Sequence, residues 1–523
     1  MIRICRDWRV SAVAVASLVL ASCTPVRPRL DLTPSFAATA DLARADELVR
    51  AGCYRCLIEA LALYEKLAAG PAAVPVAAYR AVDTAVLMAT RERELGLGSG
   101  RSRQVAEDLA ARLPVPLDYS PYLMMVDAIG WTRTGVSAEQ QDTILAAQRS
   151  VNANFSQWRA NLLRQVPGDQ LSAYQLVALD CLYTYKLREA KQTPWRLPGS
   201  APPLLRFRAA ICANAAPGLL DAVLRDEPRL RELHLFLGER ALGQGTLRTA
   251  ERHLLTALEE IPQLMPAKLV LGHVYLGMED IESAFTAYHD VTTAVPGQRD
   301  AMIGEAKALT YLDRSDEAIA VLDEMVRLGS WYLGEAHYWL AWNRLHLKQF
   351  DLANDEAVAA RKYSPMDPLV DKLSGRVALA RNEIERAERE FRAAVEHFAG
   401  RQTRDCDTGY YLASVLVMQR KWPEGAQRFG EALPCYVGDE QAARRKIEEI
   451  NAADLSDERK VRLVAAKHKG IAALQSQQAR AAYNGAVAYA NLGDKEKARP
   501  LAERAAQHPD MADLAQKLLA RLQ

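Results

Sequence analysis

Eight cysteines and nine histidines are the side chains in this 523-residue sequence best able to attack, exchange electrons or hold a metal. Cys53 and Cys56 stand in a Cys-x-x-Cys pattern, which suits a redox dithiol, part of a metal site or a short disulfide. Neither a second Cys-x-x-Cys nor a His pair accompanies them, which argues against zinc. No strand–helix–strand pattern surrounds them either, as a thioredoxin-like redox motif would require. The histidines are scattered, and His289 and His346 read as surface or groove residues. Glu259 and Glu260 close a helical stretch without a partner acid. Gly-x-Ser-x-Gly, His-Glu-x-x-His and a phosphate-cradling glycine loop are all missing. The expectation is a chain that is not an enzyme, with no metal and no cofactor.

The N-terminus carries chemistry of another kind. Arg3, Arg6 and Arg9 form a basic start, and Val10 to Leu20 form a short apolar run. That run falls well below the roughly 18–20 residues needed to span a bilayer, so residues 1–22 read as a signal peptide. It ends in Leu20-Ala21-Ser22-Cys23, which resembles the lipobox of bacterial lipoproteins. The resemblance implies that Cys23 becomes the first mature residue and carries lipid. Thr24, where an Asp would retain such a protein at the inner membrane, implies an outer-membrane anchor facing the periplasm. A plain secretory signal cleaved near Ser22 is the alternative. Several acyl chains anchor durably where one does not. Residues 23–35, with three prolines, read as a lipidated, flexible tether. An oxidising compartment permits disulfides. Chain proximity suggests Cys53–Cys56, Cys181–Cys212 and Cys406–Cys435. The last pair flanks one helical hairpin and so lies at its open end.

Positioning falls to a pattern that returns about every 34 residues from Arg229 to Pro434. Leu237-Gly238, Ala250, Ala257 and Pro262 are followed by Leu271-Gly272, Tyr275, Ala284, Val291 and Pro296. Further copies place Ala306 and Ala318, then Ala341, Ala353, Ala360 and Pro365, then Gly375, Ala387, Phe391 and Ala394. A last copy holds Ala486, Tyr489, Ala498, Ala502 and Ala505. Each unit is two short helices that cannot bury their apolar stripes alone, so units must stack. Small residues mark the closest helix approaches, and a larger side chain there would overpack by roughly 1–3 kcal/mol. In these positions the chain resembles tetratricopeptide-repeat (TPR) proteins. That family's first-helix Trp is replaced by His234, Lys268 and His337. The resemblance implies an all-α fold, an α-solenoid of TPR hairpins wound as a right-handed superhelix, with degenerate helical repeats at its N-terminal side.

Along the chain, residues 36–228 read as a degenerate helical-repeat region and 229–437 as the TPR array. Residues 438–478 read as a helical insert, and 479–523 as the final TPR with a capping helix. Residues 137–164 read as one long helix. Removing residues 1–22 takes away three arginines and one aspartate, leaving 63 basic against 64 acidic groups and a net charge of −1. That balance argues against nucleic-acid binding driven by phosphate neutralisation, which needs a basic face.

In TPR proteins the first helices line the concave wall. One residue past each small position come Glu239, His273, Lys307, Trp342 and Arg376. One turn earlier lie Tyr338 and Lys372, and a later copy adds Tyr411. These eight residues are the candidate partner-binding groove, basic and aromatic in its middle. Trp339 reads as core, with Trp331 nearby on the same stretch. The resemblance implies a lipid-anchored periplasmic scaffold for a protein or peptide of a cell-envelope assembly, secretion or export machine. The alternative is a TPR-containing carbohydrate-binding lipoprotein of the outer membrane. Its sugar platforms need aromatics on long loops, whereas these sit mostly on helices.

Overall fold

The computed structural model describes residues 36–69, 74–97, 100–129, 138–165, 170–182, 201–212, 218–329 and 333–523. Residues 1–35, including Cys23, and Trp331 lie outside the described residues. All regular structure among the described residues is helical, and the fold is an all-α solenoid. None of these helices is long and apolar enough to cross a membrane. The chain divides into two compact units. The first comprises the residues through Val274 with Asp290–Gln298, and the second comprises Tyr275–His289 with Arg299–Gln523.

The first unit opens with a hairpin of α1 (Phe36–Ala51) and α2 (Tyr54–Ala69). Gly52 turns the chain between them at φ +73°, and a Cβ there would come within 2.5 Å of Leu204. Next come α3 (Pro75–Leu95), α4 (Arg101–Ala110), α5 (Ser120–Ile129), α6 (Ala138–Ala153) and α7 (Phe155–Gln165). They are followed by α8 (Gln170–Leu182), α9 (Pro203–Cys212) and α10 (Gly218–Asp226). The stretch 137–164, expected as a single helix, is interrupted at Asn154. The Asn154 side chain donates to the Ser150 carbonyl at 3.0 Å, competing with the backbone for a helix acceptor. Helix α3 is buried on nearly every face and brings Arg91, Glu92 and Glu94 into the interior. Gly96, left-handed at φ +65°, ends it, and Leu97 N–H returns to the Glu92 carbonyl at 2.8 Å.

Paired helices then repeat: α11 (His234–Gly243) with α12 (Leu247–Glu260), α13 (Met265–Gly277) with α14 (Ile281–Ala294), and α15 (Arg299–Tyr311) with α16 (Ser315–Arg327). After them come α17 (Leu333–His346) with α18 (Phe350–Tyr363), and α19 (Pro368–Ala380) with α20 (Ile384–Gly400). The series closes with α21 (Cys406–Met418), α22 (Trp422–Ala452), α23 (Asp457–Asn491), α24 (Lys495–Ala506) and the cap α25 (Ala512–Arg521). The small positions sit where the period puts them: Ala250, Ala284, Ala306, Ala318, Ala341, Ala353 and Ala387 are all fully buried. A Cβ on Gly375 would meet the Phe391 ring at 2.7 Å.

One turn closes every pair. Gly245, Glu279, Asp313, Lys348, Asn382, Arg420 and Gly493 are each left-handed, with φ between 59° and 76°. The residue after each sends its N–H back five positions, as Arg314 does to Leu309 at 2.9 Å and Glu383 to Ala378 at 2.8 Å. This is the hydrogen bond that satisfies the last carbonyls of a helix capped in the left-handed region. Glycine supplies it at only two of the seven sites, so repeat stacking holds the other five against their steric preference.

Residues 438–478, read from the sequence as a helical insert, are helical and join the repeat helices on either side without a break. Helix α22 runs 31 residues through Pro434 and Gly438, and α23 runs 35 residues across 478. Proline forfeits one backbone hydrogen bond inside a helix. Burial of Leu433, Cys435 and Tyr436 in a shared core with Ala479, Ala482 and Ala515 holds the helix through it.

Candidate partner-binding face

Three first helices of the second unit place one side chain each in a row. Trp342 on α17, Arg376 on α19 and Tyr411 on α21 are 34 and 35 residues apart, one repeat each. The Arg376 guanidinium lies 4.4 Å from the Trp342 ring centre and 5.6 Å from that of Tyr411. Tyr411 in turn lies over Phe391, with ring centres 5.5 Å apart and planes within 9°. A guanidinium between two rings gains cation–π attraction and keeps its N–H edge for a ligand. Arg376 makes no ion pair among the described residues.

The lysines behave differently. Lys372 is buried, and its ammonium meets Asp405 at 2.8 Å. Lys307 pairs with Glu335. Each acid comes from the following repeat, so stacking delivers it, and both lysines of the groove read as basic and aromatic in its middle are paired with acids. Burial opposes ionisation of Asp405, but Lys372 and the Thr408 donors hold its carboxyl below the usual range. Tyr338 is also buried, and burial pushes its phenol above the ordinary value. Trp339 lies in the core, edge-on to Tyr311 at 5.7 Å, while Trp342 is half-buried at the margin of that core. Glu239 on α11 and His273 on α13 belong to the first unit, and the remaining six groove candidates belong to the second.

Asn343, missed from sequence, is fully buried beside Trp342 and ties α17 to α15. Its side-chain amide donates to Thr310 Oγ1 and to the Trp339 carbonyl, both at 2.8 Å. The first-helix position of His234, Lys268 and His337 carries a polar pair within several hairpins. His234 faces His253 with 2.8 Å between the Nδ1 atoms, Lys268 pairs with Asp290, His337 with Glu356, and Asp371 with His397 at 2.6 Å. Burial, reinforced by His253, pushes His234 down to about 4, so that pair is neutral at pH 7 with one ring donating to the other.

The structure joins Cys53 to Cys56 with Cα atoms 4.9 Å apart, and Cys406 to Cys435 at 5.6 Å. Cys181 is disulfide-bonded, and the side chain of Cys212 lies outside the described residues. Cys406, Cys435 and Asp439 form the one trio of potential metal donors that converges among the described residues, within 4.8 Å. Their two sulfurs are bonded to each other, so neither is a thiolate donor.

No family model matches the chain. No curated protein matches it either. Solved structures do. The APC/C hetero-tetramer Cut9–Hcn1 is similar over 93% of this chain and 90% of that one, at 15% identity and a TM-score of 0.42. A tetratricopeptide repeat protein from Parabacteroides merdae covers 56% of this chain and 98% of its own, at 13% identity and TM-score 0.35. PilF of Pseudomonas aeruginosa covers 40% and 92%, at 17% identity and TM-score 0.35. The chain's own repeat consists of paired helices at a 34-residue period, with small residues at the close approaches and one left-handed closing turn per pair. In its repeat the chain resembles tetratricopeptide-repeat proteins in fold.

Proposed function

We propose that this chain is a non-enzymatic scaffold whose second unit binds a protein or peptide along the face of Trp342, Arg376 and Tyr411. The observation that carries the reading is Arg376, held between two rings with no acid of its own. Aromatics and Arg are the side chains that most often dominate binding energy at interfaces. With Lys307 and Lys372 paired, Arg376 is the groove candidate among the described residues that keeps an unpaired cation, which favours a ligand carboxylate beside an apolar or aromatic anchor over a polyacidic segment. The N-terminal pattern ending in Cys23 supports an outer-membrane lipid anchor, with the array in the periplasm serving an envelope assembly, secretion or export machine.

The test is crosslinking and affinity capture from envelope fractions, followed by titration of the captured partner. Trp342→Ala or Arg376→Glu should weaken binding by at least about thirtyfold, roughly 2 kcal/mol, with helical content unchanged. Glu385→Ala, an exposed residue of α20, should change it little. Wild-type affinity in both face variants would move the function elsewhere. Cys23→Ser should shift the chain from the membrane to the soluble fraction, and unchanged membrane association would remove the lipid anchor from this reading.

A further inference from the structure

Helices α22 and α23 are 31 and 35 residues long, whereas α15 to α21 have 13 to 17. At 1.5 Å per residue, α23 is about 50 Å long, and only its C-terminal half serves as a repeat helix. The excess forms a hairpin whose seam is its own. Ile450, Leu463 and Ile471 are buried, and Glu440 of α22 takes Gln475 at 2.9 Å and Gln478 at 2.7 Å from α23.

The tip of that hairpin lands on the closing turn of α13 and α14, some 180 residues earlier in sequence. Arg459 Nε reaches one oxygen of Asp280 and Arg462 the other, each at 2.7 Å. Arg459 also lies 5.0 Å from the Tyr275 ring centre, and Arg462 donates to Ser283 Oγ at 3.0 Å. Lys467 pairs with Glu279, and Lys469 approaches Asp313 of the next turn at 3.7 Å. Asp280 occupies the position before a second helix that holds Arg314, Gln349, Glu383 and Lys421 in later repeats. Its carboxylate is fully buried. A buried carboxylate without cations would be costly, and here both of its oxygens are served by α23.

We infer that the α22–α23 hairpin is an electrostatic clasp, tying the C-terminal part of the second unit to its first closing turn. The repeats carrying Trp342, Arg376 and Tyr411 lie between the two tied points, so the clasp sets the curvature at which that face is held. The tip is held by charge pairs and the hairpin seam by apolar burial. Release therefore frees the tip first, returning Asp280 to water, while the repeats stay folded. This holds whatever the face binds.

Hydrogen exchange on the full chain tests it. In Arg459→Ala/Arg462→Ala, amides of residues 453–470 should exchange at least about tenfold faster while those of α17 to α19 keep their rates. Glu279→Lys and Lys467→Glu should each accelerate the same segment, and the two together should restore it toward wild type. Unchanged exchange over 453–470 in all variants, or equal loss of protection across the whole second unit, would overturn the clasp.

Discussion

Arg91→Ala is expected to destabilise the first unit by about 3–5 kcal/mol, the penalty for stripping a buried ion pair of one partner. Arg91 is fully buried on α3, 2.8 Å from Glu94 and 3.0 Å from Glu232, with its guanidinium 4.7 Å from the Phe207 ring centre. Glu94 is shared with Arg208 at 3.1 Å and with the Tyr174 hydroxyl. Glu232 also accepts the backbone N–H of Tyr54 at 2.9 Å. Deleting Arg91 leaves Glu232 in the interior without its cation. Denaturant unfolding read by exchange at α3 would measure the loss. Arg44→Ala should cost less than about 0.5 kcal/mol, because its pair with Glu59 is solvent-exposed and 4.0 Å long. In Arg91→Met/Glu232→Gln both charges are gone, and the loss should fall short of the two single losses added together. A change below about 1 kcal/mol in Arg91→Ala would show that the network does not support the unit.

The second large effect belongs to the Cys406–Cys435 bridge. It closes a loop across a sequence separation of 29, for which the chain-entropy model gives about 3–4 kcal/mol. Cys406→Ala/Cys435→Ala should therefore unfold the second unit at a clearly lower denaturant concentration. Cys53→Ala/Cys56→Ala opens a loop across a separation of only 3, and should cost the first unit about 2 kcal/mol on the same scale. Equal midpoints for wild type and the Cys406/Cys435 variant, or free-thiol labelling of both cysteines in the oxidised protein, would remove the bridge from the account.

The repeat was legible from one line of residues because its causes are short-range. A 34-residue period with small side chains at 238, 250, 284, 306, 341 and 375 can be satisfied only by stacked helix pairs, and the alanines among them are fully buried. The row of Trp342, Arg376 and Tyr411 was legible for the same reason, since equal phase in successive repeats means one shared face. The charge state of that face was not. Asp405 and Glu335 lie 33 and 28 residues beyond Lys372 and Lys307, and nothing in the local pattern tells which cation an acid on the next repeat will meet. Likewise, the charged stretch 438–478 carries the composition of a solvated insert. Only the folded chain joins it without a break, through Pro434 and across 478, to the repeat helices on either side, then sets Arg459 and Arg462 on Asp280. Periodicity specifies what each helix buries against its neighbours. Pairings between residues some 180 positions apart depend on the accumulated turn of every intervening repeat, and that sum exists only in three dimensions.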